Sequence, residues 1–212
     1  MNSATCPRNV PTIIRQADQN ITSVREALGI RTPAPVILIS GGADTFDLAI
    51  APKLTQLIGR GLLRAARAAG AVIIDGGTDA GVMGLIGRAA GAMAEPTLLI
   101  GVAPEALIQS ANISPVEADD ARVALAPNHT HFVLTEGEVW GAETPVMFDL
   151  AQAIAAKLPV IVVMIGGGQV ALSEILNAVR RHWRVLIIQG SKGIADELWR
   201  SGRPRSPRTT IR

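Results

Sequence analysis

A doubly wound α/β fold, with a mostly parallel sheet in a three-layer sandwich between helices, is what this sequence predicts. Three observations carry the prediction. Five short, mostly β-branched runs each lead into glycine: 36–40 before Gly41-Gly42, 72–75 before Gly76-Gly77, 97–100 before Gly101, 160–165 before Gly166-Gly167-Gly168, and 185–189 before Gly190. Segments of helical period separate these runs, and strand–helix alternation implies parallel strands covered on both faces. The chain has 212 residues, 48% of them hydrophobic, which is enough to bury one such sheet.

Taken in order, 1–34 is a polar extension in which 13–28 predicts one amphipathic helix. Pro33 and Pro35 then lead into the strand 36–40. The spacing of Leu54, Leu57, Ile58, Leu62 and Ala65 predicts a helix over 49–69, with Lys53, Arg60, Arg64 and Arg67 facing out and Gly70 as its stop. Strand 71–75 precedes a helix over 82–92, and strand 97–101 follows. The stretch 102–128 carries Pro104, Pro115 and Pro127 and the acids Glu117, Asp119 and Asp120. A connection this long reads either as a flap over a crevice or as a surface excursion with its own short helix. Strand 131–134 leads towards a helix over 146–157, with Thr144 as N-cap and Pro145 in the first turn. Strand 160–165, helix 173–182, a strand from 185 and helix 194–199 complete the fold. The expected organisation is one domain over 35–199 between the extension and a basic, disordered tail at 200–212.

Composition narrows the function classes. The longest apolar runs are of strand length, so no membrane span is expected. Residues 1–6 are polar and lack the apolar core of a signal peptide, and Cys6 is the sole cysteine. A reducing, cytoplasmic setting without a disulfide or thiolate metal site is therefore expected. Five arginines in 200–212 more than account for the net charge of +2, leaving an acidic body. Nucleic-acid binding by the fold is thus not expected.

Strands of a parallel sheet end on one edge, and glycines gathered there bare backbone N–H groups beside helix N-termini. Gly41 and Gly42 form one such turn. Gly76, Gly77, Thr78 and Gly81, with Val82 and Met83 opening the helix, form another. Its spacing fits neither G-x-G-x-x-G nor a P-loop. Gly166, Gly167 and Gly168 form a third, followed by Glu174, and Gly190, Ser191 and Lys192 a fourth. These residues are the expected phosphate cradle, although plain packing turns would look the same. Glu174 reads as a general base or ribose acceptor, or as an acid placed early in a helix by the macrodipole. His129 and His131 share a strand face without a third ligand, so no metal is expected. Trp140 reads as a base-stacking residue or as a core or flap residue.

The series Ile39-Ser40-Gly41-Gly42, Gly59-Arg60-Gly61-Leu62, 72–83, Asn128-His129-Thr130-His131, Trp140-Gly141-Ala142-Glu143, the glycine triplet and 190–196 resembles the amino-terminal cytosolic domain of the TRPM cation channels. Stand-alone bacterial counterparts form the LSDAT branch of the SLOG superfamily, and the likeness runs in order over 35–198. The resemblance implies a Rossmann-like fold and a non-catalytic sensor of ADP-ribose or another NAD-derived nucleotide. It also implies a homo-oligomer, a membrane-associated effector protein as partner, and no cofactor. His129 and Glu143 are then expected to meet ribose or flap.

The same superfamily includes LOG-type phosphoribohydrolases, whose signature is P-G-G-x-G-T-x-x-E. Here Gly167, Gly168 and Glu174 keep their places, while Val170 and Ala171 replace the third glycine and the threonine. That likeness implies the alternative, an N-glycosidic hydrolase with Glu174 catalytic and Glu143 or Asp79 as second carboxylate.

Overall fold

The computed structural model describes residues 12–15, 20–42, 48–109 and 122–202. Cys6, the acids at 117–120 and the arginines at 203–212 lie outside the described residues. Seven parallel strands form one sheet in the order β1-β5-β4-β3-β2-β6-β7. They are β1 (Thr12–Arg15), β2 (Val36–Gly41), β3 (Val72–Asp75), β4 (Leu99–Pro104), β5 (His131–Thr135), β6 (Val160–Ile165) and β7 (Arg184–Ile187).

One face of the sheet buries Val36, Leu38, Val72, Ile74, Val162 and Met164. Against it pack α1 (Ile21–Ala27), α5 (Thr144–Ala155), α6 (Gln169–Arg180) and α7 (Gly193–Gly202). The other face buries Ile39, Ile73, Leu99, Val163 and Ile165 under α2 (Ala51–Gln56), α3 (Arg64–Ala68) and α4 (Gly81–Gly91). This is the doubly wound α/β sandwich expected. The chain runs outward from β2 through β3, β4 and β5, then returns to lay β6 on the other side of β2. That reversal places a topological switch point between the carboxyl ends of β2 and β6, where open α/β sheets form a ligand crevice.

Helix α5 starts at Thr144 with Glu143, not Thr144, as its N-cap, and α6 starts at Gln169 rather than 173. Two elements differ more deeply from expectation. The segment 13–28 is not one helix: Thr12–Arg15 is an edge strand paired with β5 (Ile13 with Phe132, Ile14 with Val133), and the helix begins only at Ile21. The β-branched pair Ile13-Ile14 suits the edge of the sheet, and the Asn20 side chain starts α1 by accepting from Ser23 N–H at 2.9 Å.

The second difference lies within 49–69. Helix runs from Ala51 to Ala68, but Leu57–Leu63 between α2 and α3 is π-helical. Buried positions run Leu54, Ile58, Leu63, Ala66, so one step of five residues interrupts the usual three and four. Past that step the core register shifts by one, which is why Leu63 and Ala66 are buried in place of the predicted Leu62 and Ala65. A π-turn adds one residue per turn and rotates all that follows. Gly59 and Gly61 lie inside the stretch, and helices interrupted in this way owe little to intrinsic propensity there.

Candidate functional site

At the switch point lies a crevice of about 300 Å³. Its floor is the ends of β2 and β3, with Ile39, Gly41, Gly42, Gly76 and Thr78. One side is the start of α4, with Ala80 and Met83, and the other is the start of α6, with Gly168, Gln169, Val170, Ala171 and Glu174. Trp140, Glu143 and Val123 complete the lining.

Neither α4 nor α6 has a side-chain cap, their N-cap residues being Ala80 and Gly168. The first-turn amides of both helices therefore carry the positive ends of two macrodipoles beside the crevice. Gly41 fits because a Cβ there would stand 3.0 Å from the Ile165 carbonyl oxygen and 3.3 Å from Val82. Gly168 differs, since a Cβ there would meet nothing within 4 Å.

Two carboxyls enter this lining. Glu174 is buried, and its Oε2 accepts from the Ser40 hydroxyl at 2.6 Å. Burial pushes its carboxyl up to about 7, the charge of Glu143 adds to the rise, and the Ser40 hydrogen bond opposes both. Glu143 is also buried, and its Oε2 accepts from Gly141 N–H at 2.8 Å. Burial raises its carboxyl above the ordinary range against the pull of backbone N–H groups. The adjacent Thr144 side chain is buried, and its hydrogen bonding to Glu174 also works against the rise of that carboxyl. Among the described residues the lining includes no Lys, Arg or His. A buried carboxyl raised to about 7 can give or take a proton near neutral pH.

Of the expected site residues, Gly41, Gly42, Gly76, Thr78, Met83, Glu143, Gly168 and Glu174 border the crevice. Gly81 and Val82 stand in the first turn of α4 without lining it. The others have structural partners. Gly77 has φ +66°, donates its N–H to Asp75 Oδ1 at 2.7 Å and accepts from Ala126 N–H. Gly166 N–H donates to Ser191 Oγ at 2.8 Å, and the Gly166 and Gly167 carbonyls accept from Ala195 and Ile194 at the start of α7. The Gly190-Ser191-Lys192 turn, read as a phosphate cradle, already holds an anion of its own: Asp196 accepts from Gly190 N–H at 2.7 Å and from Lys192 N–H at 3.2 Å. Its amides anchor α7 to the sheet edge.

Gly101 does not end its strand, which continues to Pro104. A Cβ there would lie 2.5 Å from Gly77 Cα and 2.7 Å from Phe132, so glycine serves close packing beneath the Gly76-Gly77 turn. His129 and His131 do not converge on a ligand. His131 Nδ1 meets Thr130 Oγ1 at 3.0 Å, and burial lowers its pKa. His129 Nε2 lies 2.9 Å from Asp75 Oδ1, with both side chains fully buried and the imidazole stacked on Phe132 at 5.2 Å. Burial alone would lower the His129 pKa, but the Asp75 carboxylate, by charge and by hydrogen bond, leaves it above the ordinary value. Among the described residues no three His, Cys, Asp or Glu side chains are grouped as metal ligands would be.

Sequence reasoning overlooked Ser40 as the partner of Glu174, and Val123 as a wall. The stretch 102–128 supplies that wall. Its described part bridges Thr78 to Leu125 and Ile108 to Val123, and Asp79 N–H donates to the Ala124 carbonyl at 2.7 Å. The signal for Ser40 is its place, one pleat before Gly41 on a buried central strand where a hydroxyl needs a partner.

The family model described as "SLOG in TRPM, prokaryote" matches residues 34–210. Transient receptor potential cation channel subfamily M member 2 of Rattus norvegicus is 29% identical over 202 residues, covering 79% of this chain and 13% of the channel. A subfamily M member-like 2 channel of Nematostella vectensis is 27% identical over 210 residues, covering 81% of this chain and 13% of the relative. A transient receptor potential channel of Caenorhabditis elegans is 29% identical over 197 residues, covering 80% and 10%. This chain therefore spans only about an eighth to a tenth of the length of these relatives. The X-ray structure of TM1055 shares the fold, with a TM-score of 0.55 and 19% identity over 77% of this chain and 79% of that one. No helix of the described residues is long and apolar enough to cross a membrane.

Proposed function

The chain belongs to the prokaryotic SLOG-in-TRPM family, and from that premise we propose that it is a nucleotide-binding sensor domain whose ligand is ADP-ribose or another NAD-derived nucleotide. The observation that carries the reading is the crevice between β2 and β6, bordered by two uncapped helix N-termini and by glycine backbone. Backbone amides of this kind hold phosphate oxygens without a cationic side chain. Ile39, Met83, Val123 and Trp140 offer the apolar surface that a sugar and base need. Isothermal calorimetry of the purified chain with ADP-ribose, cyclic ADP-ribose, NAD and AMP tests the reading. Saturable binding of at least one is expected; no heat and no thermal shift with any of them at millimolar concentration rejects it. Partnership with a membrane-associated effector and self-association belong to the same proposal, by analogy with the channel relatives.

A second reading is favoured by one observation: Glu174 combines burial in the crevice with a carboxyl near 7. That is the condition of a general acid–base for N-glycosidic hydrolysis. On this reading AMP incubated with the chain releases free adenine, and Glu174→Gln slows release by about 100-fold or more, the usual contribution of a positioned acid–base. Chromatography that finds no adenine from a folded sample removes the hydrolase and leaves the sensor.

A further inference from the structure

Among the described residues Glu143 and Glu174 have no cation to answer them. Both are buried, both line the crevice, and neither forms an ion pair among the described residues. Each instead leans on a neutral donor, Gly141 N–H for one and the Ser40 hydroxyl for the other. Two carboxyls held together in a largely apolar lining without a counter-charge are costly, and the cost is relieved when positive charge arrives.

Trp140 borders the same crevice with 42% of its surface exposed, an open aromatic ring where a ligand can reach it. An aromatic face beside carboxylates is suited to a flat cation. The uncapped starts of α4 and α6 ask for the opposite charge. A purely anionic ligand satisfies those amides and is repelled by the carboxyls, whereas a ligand bearing both charges satisfies both.

We infer that the crevice selects a phosphate ester bearing a cationic planar ring, a pyridinium-type nucleotide, with the phosphate at the amides and the ring between Trp140 and the Glu143–Glu174 pair. The inference rests on the nucleotide reading above and names the ligand class within it. A volume of about 300 Å³ stands at the lower end for small-molecule sites and suits the mononucleotide portion of such a ligand.

The test compares two probes of the same shape that differ in ring charge. Nicotinamide mononucleotide and its dihydro form are titrated into the full chain by calorimetry in buffer containing EDTA, with AMP as a third probe. The oxidised form is expected to bind about tenfold or more tightly than the dihydro form, the scale of a desolvated cation–aromatic contact. Glu143→Gln is expected to bring the ratio towards one. Equal affinity for the two ring states, with AMP or either form still bound, overturns this inference and leaves the nucleotide reading standing. Failure of all three probes overturns this inference, and the nucleotide reading falls with it only if ADP-ribose, cyclic ADP-ribose and NAD fail as well. The comparison on the unaltered chain decides the matter even where the glutamine variant does not fold.

Discussion

Replacing His129 by leucine is expected to lower the unfolding free energy by about 3–5 kcal/mol, the scale of removing one partner from a buried ion pair. The Asp75 and His129 side chains are fully buried, and the carboxylate's only other partner among the described contacts is the Gly77 N–H. Leucine keeps much of the volume stacked on Phe132 while leaving the Asp75 charge uncompensated. Against a usual total of about 5–15 kcal/mol, such a loss places the variant close to its unfolding limit. The pH dependence has a defined sign. His129 titrates in the folded chain above its ordinary 6.5, so its contribution is fully present below that value and fades as pH rises through the raised one. Urea unfolding of the unaltered chain and of His129→Leu therefore shows a gap in stability that narrows from pH 6 upward. A gap that stays constant or widens with pH contradicts a charged pair.

The same pair explains why His129 was legible as important and misread in its role. The sequence places a histidine just before β5 and an aspartate at the end of β3. These lie next but one in the sheet, separated by β4. Only the strand order shows that Gly101 of β4, having no side chain, lets the Gly77 turn pack against it. Strand order is a long-range property, and local patterning carries none of it.

By contrast, the crevice was legible in outline because its cause is local: β2 ends in glycine, β3 and β6 run directly into it, and parallel strands bring their carboxyl ends to one edge. What local patterning could not separate was amides facing the crevice from amides already engaged. Gly190 and Lys192 look in sequence like any other anion loop, but Asp196, a few residues on, occupies their N–H groups. The π-helical step in 57–63 was hidden for a related reason. A 3.6-residue template fits Leu54, Leu57, Ile58 and Leu62 as well as the true set, and only packing against α4 and the sheet selects Leu63 and Ala66.

Gly168→Asp is the substitution expected to separate binding from folding most sharply. Gly168 is the N-cap of α6, lines the crevice and has a negative φ of −116°, and a Cβ there meets nothing within 4 Å. Aspartate at an N-cap accepts from first-turn amides and is at least as good a cap as glycine, by a few tenths of a kcal/mol. Thermal stability should therefore be unchanged or slightly higher. The new carboxylate occupies the amides proposed to hold phosphate and repels it. Two unit charges about 4 Å apart interact by roughly 4 kcal/mol at an effective dielectric constant near 20. Even half of that weakens a phosphate ligand about 30-fold. Calorimetry with whichever nucleotide binds the unaltered chain is expected to show at least this loss in Gly168→Asp, and a smaller one in Gly168→Asn, which offers similar capping without the charge. A stable Gly168→Asp chain that binds nucleotide as well as the unaltered one would mean that phosphate is held elsewhere, and that the start of α6 is a helix end and nothing more.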